Sequence, residues 1–500
     1  MHPDFLLSAP LLFLSIMATT LMVVDALIKK STKITFTISW VTLLVTAILS
    51  ALTLSQSGTA FNGMITLGSF GAFFDILFCG AGVLTLLAAR PFMQREGLEQ
   101  NEFHSLLLFA ISGMMLIAHA NNLLTLFIGI EVMSVCFYVL AGYTRSSVRS
   151  VEASLKYFLL GAFATGFLVY GMALIYGATG SMNYNEIFAA AGQPLRFPSL
   201  MMIGIGLLII GLSFKAAAFP FHQWAPDVYQ GAPTVVTAFM STAGKIAAFS
   251  AFLPIVAIVS PAGGTKLQLV LAVLAATTML VGNISALVQS NIKRMLAYSS
   301  VAHAGYLMMG LVAESTMAFP ETNLQHLSFN NSLNGIQYYL TAYLFMQLGA
   351  FVVVSILEKN GEKNLELSDY AGLSKRHPML AALMSMFMLS LAGIPPFAGF
   401  FGKYYLFVAT IEAGYTWLTI IAVLSSIISV YFYIGLIVKM YFTDSVEDNQ
   451  PVSETGIASI SLVFSSVAIV VLGLFPPGLF EKLAHVSDSI IATFKMIFGH

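Results

Sequence analysis

Apolar residues run in blocks of about 20, parted by short polar stretches, along nearly all of this 500-residue chain. A helix needs about 20 mostly apolar residues to cross a bilayer. The pattern therefore predicts spans near 4–27, 34–55, 69–90, 104–119, 121–141, 154–177, 199–221, 234–258, 267–289, 294–313, 336–357, 378–408, 415–441 and 457–479. These make about fourteen helices, the fourth and fifth parted only by the polar HANN of 119–122. The first block lacks the charged start and small-residue cleavage site of a signal peptide, so it counts as a helix. Connections are longest near 178–198, 314–335 and 358–377, leaving no stretch for a soluble domain. The fold expected is an all-α polytopic membrane protein.

Composition supports that class: 58% of residues are hydrophobic and 9% charged, where a soluble domain has roughly a quarter charged. A net charge of -1 gives no electrostatic reason to expect nucleic acid or an acidic substrate. Cys79 and Cys136 lie in apolar blocks without the short spacings of zinc sites, and two thiols cannot hold an iron–sulfur cluster alone. No metal or redox centre is expected in the chain.

Basic residues in loops set the orientation. With the N-terminus outside, one set of loops holds Lys29, Lys30, Lys33, Arg90, Arg95, Arg145, Arg149, Lys293, Arg294, Lys359, Lys363, Lys375, Arg376 and Lys439. The other holds only Arg196, Lys266, Lys482 and Lys495. The expected location is the inner membrane of a bacterium, with both termini periplasmic.

The remaining lysines change the picture from span count to chemistry. Lys156, Lys215, Lys245 and Lys403 stand inside blocks otherwise apolar enough to cross the membrane, as do Glu131 and His303. One charge at a helix centre costs about 2.5 to 3.5 kcal/mol on insertion scales, so a set of them reads as a pathway for protons or small cations. A buried lysine loses the hydration of its ammonium form and a nearby carboxylate restores a partner, so its protonation can be switched by moving that partner. A swing of about two pK units supplies on the order of 3 kcal/mol, about the work of moving one charge through 100 mV.

The placement suggests two inverted halves. Lys215 on the seventh span and Lys403 on the twelfth each lie near proline, Pro220 in one case and Pro395 and Pro396 in the other. An offset of five spans reverses direction, and Glu131 on the fifth and His303 on the tenth share it. Paired interrupted helices in inverted halves point to an ion site at mid-membrane. The expected units are an N-terminal three-helix segment at 1–103, a first repeat at 104–258 (helices four to eight), a second at 267–441 (helices nine to thirteen), and a C-terminal helix at 457–500. The proline lies after the lysine in one half and before it in the other, so the repeat is approximate.

Each residue also has a structural reading. Lys156 stands one helical turn after Glu152 and suits an i,i+4 ion pair. Lys215 with Glu131 would serve equally as a fixed buried pair. His303, beside Ser299 and Ser300, suits an interhelical hydrogen bond, and the prolines suit ordinary kinks. Asp25 and Asp75 read as capping or interface groups. Under the relay reading, a broken twelfth helix and water, or a cavity for it, should link Lys245 to Lys403.

The stretches FIGIEVMSVCFYVLAGY, EASLKYFLL, GLSFKAAAFPFHQWAPDVYQGAPTVVTAFMSTAGK, NIKRMLAYSSVAHAGYLMMG and MLSLAGIPPFAGFFGKYY resemble the antiporter-like membrane subunits of respiratory complex I, the proton-pumping NADH:quinone oxidoreductase. PDVYQGAP is the most specific element and resembles the N-type subunit. The resemblance implies that Glu131 pairs with Lys215, that Lys245 is the central lysine, that Lys403 is the terminal one, and that His303 lies on a central hydrophilic axis. Lys at 403 departs from the M-type pattern, which has glutamate, and the absence of a long lateral helix departs from the L-type. Keeping the first helices suits a bacterial or plastid-like form. The resemblance further implies K-type and M-type neighbours, membrane lipid around the chain, and NADH or ferredoxin, FMN, iron–sulfur clusters and quinone handled in partner subunits. A multi-subunit cation/proton antiporter is the alternative, and a non-conducting scaffold the bland reading.

Overall fold

A computed structural model describes residues 4–5, 8–27, 32–98, 101–316, 324–359, 364–444 and 456–476, leaving aside the side chains of 324–331. Lys29, Lys30, Lys363, Lys482, Lys495 and the end of the last expected span fall outside the described residues. The protein is an all-α polytopic membrane protein; among the described residues, ten helices are long and apolar enough to cross a bilayer.

The helices are α1 (Ala9–Leu27), α2 (Thr32–Leu52), α3 (Ser69–Glu96), α4 (Glu102–Ala118), α5 (Leu123–Ala141), α6 (Val148–Thr179), α7 (Tyr184–Ala191), α8 (Pro198–Ala216), α9 (Trp224–Gly231), α10 (Thr234–Leu287), α11 (Ile292–Thr316), α12 (Leu324–Leu357), α13 (Leu373–Arg376), α14 (Pro378–Ala392), α15 (Ala398–Glu412), α16 (Thr416–Phe442) and α17 (Ala458–Leu474). A small antiparallel hairpin, β1 (Gly58–Ala60) with β2 (Ile65–Leu67), fills the connection before α3. The hydrophobic pattern gave no sign of it, because three-residue strands are too short to show a period. The eighth and ninth expected spans run on as α10, which bends where Gly264 takes φ 50° and ψ -145°.

Burial separates the helices into two kinds. α11 and the described part of α12 are buried almost along their length, whereas α1, α6 and α16 bury only a minority of their apolar window. Rows of exposed Leu, Ile, Val and Phe on these outer helices, such as Leu155, Leu159 and Phe163 on α6, suit lipid, where the helix already satisfies its own backbone. Small residues let α10 and α11 approach closely: a Cβ on Gly282 would lie 2.5 Å from the Ala302 nitrogen, and one on Gly305 2.7 Å from the Met279 nitrogen. Such close crossings replace the hydrophobic driving force that lipid removes.

Two spans are broken, as their prolines predicted. α8 stops at Ala216, where Ala217 turns left-handed at φ 58° and the Ala218 N–H donates to the Ser213 carbonyl at 2.8 Å. α14 stops at Ala392, where Gly393 takes φ 83° and the Ile394 N–H donates to the Leu389 carbonyl at 3.0 Å. Both are left-handed C-terminal caps, so each helix ends a few residues before its proline. Trp224 holds the first break together: its indole N–H donates to the Phe214 carbonyl at 2.9 Å and its ring stacks on Tyr157 at 4.5 Å. At the second break the Gly399 N–H donates to the Ser390 hydroxyl at 3.2 Å. A Cβ there would lie 1.8 Å from the Ser390 carbonyl oxygen, so α15 can restart so close to α14 only with glycine.

Candidate functional site

Lys215 lies in the last turn of α8 and is buried at 7% exposure. Its ammonium donates to the Ser134 hydroxyl on α5 at 2.7 Å, and Ser134 in turn donates to the Ile130 carbonyl at 2.5 Å. Glu131 is one helical turn before Ser134, half-buried, and accepts from the Thr165 hydroxyl on α6 at 2.8 Å. The two charged groups therefore share one site without forming a direct ion pair here; a serine stands beside the lysine and a threonine holds the glutamate. The Tyr138 and Phe214 rings lie 5.9 and 5.8 Å from the ammonium.

Lys245, His303 and Lys403 form a second, continuous cluster around α11. Lys245 is 3% exposed, donates to the Ser300 carbonyl, and sits 5.5 Å from the Tyr343 ring. Tyr343 donates to the Ser300 hydroxyl at 2.8 Å. His303 is 1% exposed, with Nδ1 at 2.5 Å from the Tyr339 hydroxyl and Nε2 at 3.1 Å from the Tyr433 hydroxyl, which also meets Ser299. Lys403, 4% exposed, donates to the Ala392 carbonyl at the broken end of α14 and to the Ser426 hydroxyl, both at 2.9 Å. Its ammonium lies 4.8 Å from the Tyr306 ring, and that ring packs on His303 at 5.9 Å.

The chemistry open to this cluster follows from its donors and acceptors. An imidazole with a hydroxyl on each nitrogen can take a proton on one side and give one up on the other. Each phenol both donates and accepts. Phenols and an imidazole thus bridge the space between Lys245 and Lys403. Neither lysine has a carboxylate within ion-pair distance among the described residues, so a charge on either is stabilised only by neutral dipoles and π faces.

Lys156 stands apart from both sites. It is 42% exposed at the side chain and bridges Glu152 at 2.7 Å and Asp227 at 3.0 Å. Asp227 also meets Arg294 at 2.6 Å. Burial raises the Asp227 carboxyl, but Arg294 and Lys156 more than offset it and hold the group below its usual value. This places an acid of the PDVYQGAP stretch at the centre of a three-element ion bridge. Lys293, expected in a loop, is instead buried in the first turn of α11, with its ammonium on the Ala232 carbonyl at 2.7 Å. Asp75 accepts from Ser50 and lies 3.0 Å from His119 Nε2, the interface role expected of it.

Sequence reasoning passed over Ser134, Tyr339, Tyr343 and Tyr433. Tyr339, Tyr343 and Gln347 recur every four residues on one face of α12, a polar stripe visible in the sequence but easily taken for aromatic core. No group of three His, Cys, Asp or Glu side chains placed to hold a metal occurs among the described residues.

The sequence model of the family described as NADH:quinone oxidoreductase/Mrp antiporter, transmembrane, matches residues 120–429, a stretch that includes both broken helices and all four lysines. NADH-quinone oxidoreductase subunit N of Trichlorobacter lovleyi is 42% identical over 471 residues, 93% of each chain. The chain belongs to this family. The subunit N 1 of Herpetosiphon aurantiacus gives the same family at 42% identity over 479 residues, 94% of each chain. Among solved structures, a chain of respiratory complex I from Thermus thermophilus with bound aureothin has 33% identity and a TM-score of 0.79, over 94% of this chain and 98% of that one. A chain of the Mrp complex from Dietzia superposes with a TM-score of 0.85 at 22% identity over 99% of this chain, which shows the fold that the two kinds of assembly share. N-subunit family membership thus meets a structure in which three of the four intramembrane lysines are buried at helix breaks or on the central helices.

Proposed function

We propose that this chain relays protons across the membrane as the N-type subunit of an NADH:quinone oxidoreductase, driven by quinone reduction in partner subunits that also carry the flavin, iron–sulfur and quinone chemistry. The proposed relay groups are Glu131 and Lys215 in the first half, and Lys245, His303 and Lys403 in the second. The buried chain Lys245–Ser300–Tyr343 and His303–Tyr339–Tyr433, ending at Lys403 on the broken helix, supports this reading most directly: no fold requirement asks for two buried ammonium groups flanking a doubly hydrogen-bonded imidazole. Lys156, with Glu152 and Asp227, stands where it can exchange with solvent. The halves act as inverted repeats, the basic loops face the cytoplasm of a bacterial cell, and K-type and M-type subunits flank the chain. The cation/proton antiporter alternative shares the fold, but identity near 42% along nearly the whole length favours the redox-driven assembly.

The test is the intact assembly purified from membranes, with its subunits and electron donor identified, and reconstituted in vesicles. Lys215→Ala and Glu131→Ala should each sharply reduce proton uptake per electron. Normal pumping in both would reduce the pair to structure.

A further inference from the structure

α11 carries one polar face from end to end. Lys293, Ser299, Ser300, His303, Tyr306 and Glu314 fall within less than half of the helical circumference at 100° per residue. Lys293 and Glu314 are 21 residues apart in this sequence, or about 32 Å along the axis at the α-helical rise, close to the roughly 30 Å of a hydrocarbon core. Five of these groups are engaged above. Glu314 is not.

Glu314 is 5% exposed, and its Oε2 is buried with no hydrogen-bond partner among the described residues. A buried carboxyl oxygen without a partner costs several kcal/mol unless water or a proton satisfies it. On α12, Ser332 donates to the Gly310 carbonyl at 2.7 Å, one turn before Glu314, and a Cβ on Gly310 would meet Ile336 at 2.5 Å and Leu406 at 3.0 Å. Leu406 is one turn beyond Lys403 on α15, and Thr410, a turn further, approaches the Met309 carbonyl at 3.5 Å. Glu314 therefore lies beyond Lys403 along the seam of α11 and α15, at the end of α11 away from Lys293.

We propose that Glu314 is the terminal proton-releasing group of the second half, taking protons from the Lys403 region and giving them to water on the side opposite the basic loops. The carboxylate accepts a proton as the Lys403 ammonium becomes an amine, with water as intermediary; the acid then loses it to outside water and returns to carboxylate. The inference rests on the relay reading above. Lys293, paired at the other end of the same face, gives the stripe opposite charges at its two ends.

The experiment uses the whole complex in proteoliposomes, measuring lumen acidification per electron with Lys403→Ala as reference. Glu314→Gln should lose pumping as fully as Lys403→Ala, and Glu314→Asp should keep most of it. In oxidised-minus-reduced infrared spectra, a protonated-carboxyl band should be present and vanish in Glu314→Gln. Should Glu314→Gln fail to assemble, Glu314→Ala takes its place, and pumping there should fall likewise. Wild-type pumping by Glu314→Gln, or by Glu314→Ala in its place, beside a dead Lys403→Ala overturns the Glu314 assignment alone; wild-type pumping by Lys403→Ala overturns the relay on which it rests.

Discussion

The two broken helices use one backbone device and place their lysines on opposite sides of it. After α8 a left-handed Ala217 ends the helix, and Lys215 precedes it by two residues. After α14 a left-handed Gly393 does the same, and Lys403 follows by ten, reaching back to the carbonyl of Ala392. The surroundings differ with the placement. Lys215 has an acid, Glu131, one turn from its serine partner, so a carboxylate can govern its charge. Lys403 has a carbonyl, a hydroxyl and a phenol ring, so burial and neutral dipoles govern it. A left-handed alanine costs roughly 1–2 kcal/mol more than a glycine would, and the first break tolerates this because the Trp224 hydrogen bond and stacking fix the turn. The lesson is that the break is the common part and the charge is the movable part.

That contrast can be broken by substitution. The largest effect should come from Lys403→Ala, which removes a proposed proton carrier with no acid beside it to substitute; pumping in proteoliposomes should fall to the level of protonophore-treated vesicles. Glu131→Gln should also reduce pumping sharply but leave more of it than Lys403→Ala does, because Lys215 keeps its Ser134 contact. Equal losses in the two variants would erase the distinction between the halves. Next comes the scaffold: Gly399→Ala forces a methyl into the Ser390 carbonyl and should destabilise the break by about 1–3 kcal/mol, read as a lower melting temperature of the purified assembly. Ala217→Gly, where the left-handed turn is relieved but a buried methyl is lost, should change it little.

The smallest effect belongs to the partly exposed ion bridge. Asp227→Asn should cost less than about 1 kcal/mol. Because the folded Asp227 carboxyl lies below its usual value of 3.8, its contribution is fully present above 3.8 and is lost as the pH falls below that, through the lower folded value. The variant should therefore match wild type in acid and trail it slightly at neutral pH, as thermal melts at the two pH values would show.

Much of this arrangement is legible in the sequence because membranes allow few solutions. Apolar blocks gave the helices, and Pro220, Pro395 and Pro396 marked the breaks, although the caps fall earlier, at Ala217 and Gly393, since a proline and the residue before it both resist continuing a helix. The lysines stood out because a lone charge in lipid is costly. What the sequence hid was contact. Ser134 is one of many serines that fill helix grooves, and only the fold shows Lys215 resting on it in place of Glu131. Tyr339, Tyr343 and Tyr433 are three of 19 tyrosines among 40 phenylalanines, and a phenol that relays is spelled like one that packs. Lys293 reads as a loop residue in the sequence because helix ends are set by capping and tertiary contacts rather than by hydrophobic period. Lys156 shows the reverse: its i,i+4 pair with Glu152 is legible in the sequence, and only the Asp227 contact needs the fold.

The most direct test of the account is proton uptake per electron by the intact assembly carrying Lys245→Arg. Arginine keeps the positive charge beside Ser300 and Tyr343 but does not give up its proton in a protein. The relay predicts pumping nearly as poor as in Lys245→Ala, with the complex assembled; pumping close to wild type would mean that Lys245 acts only as a fixed charge and would contradict the relay.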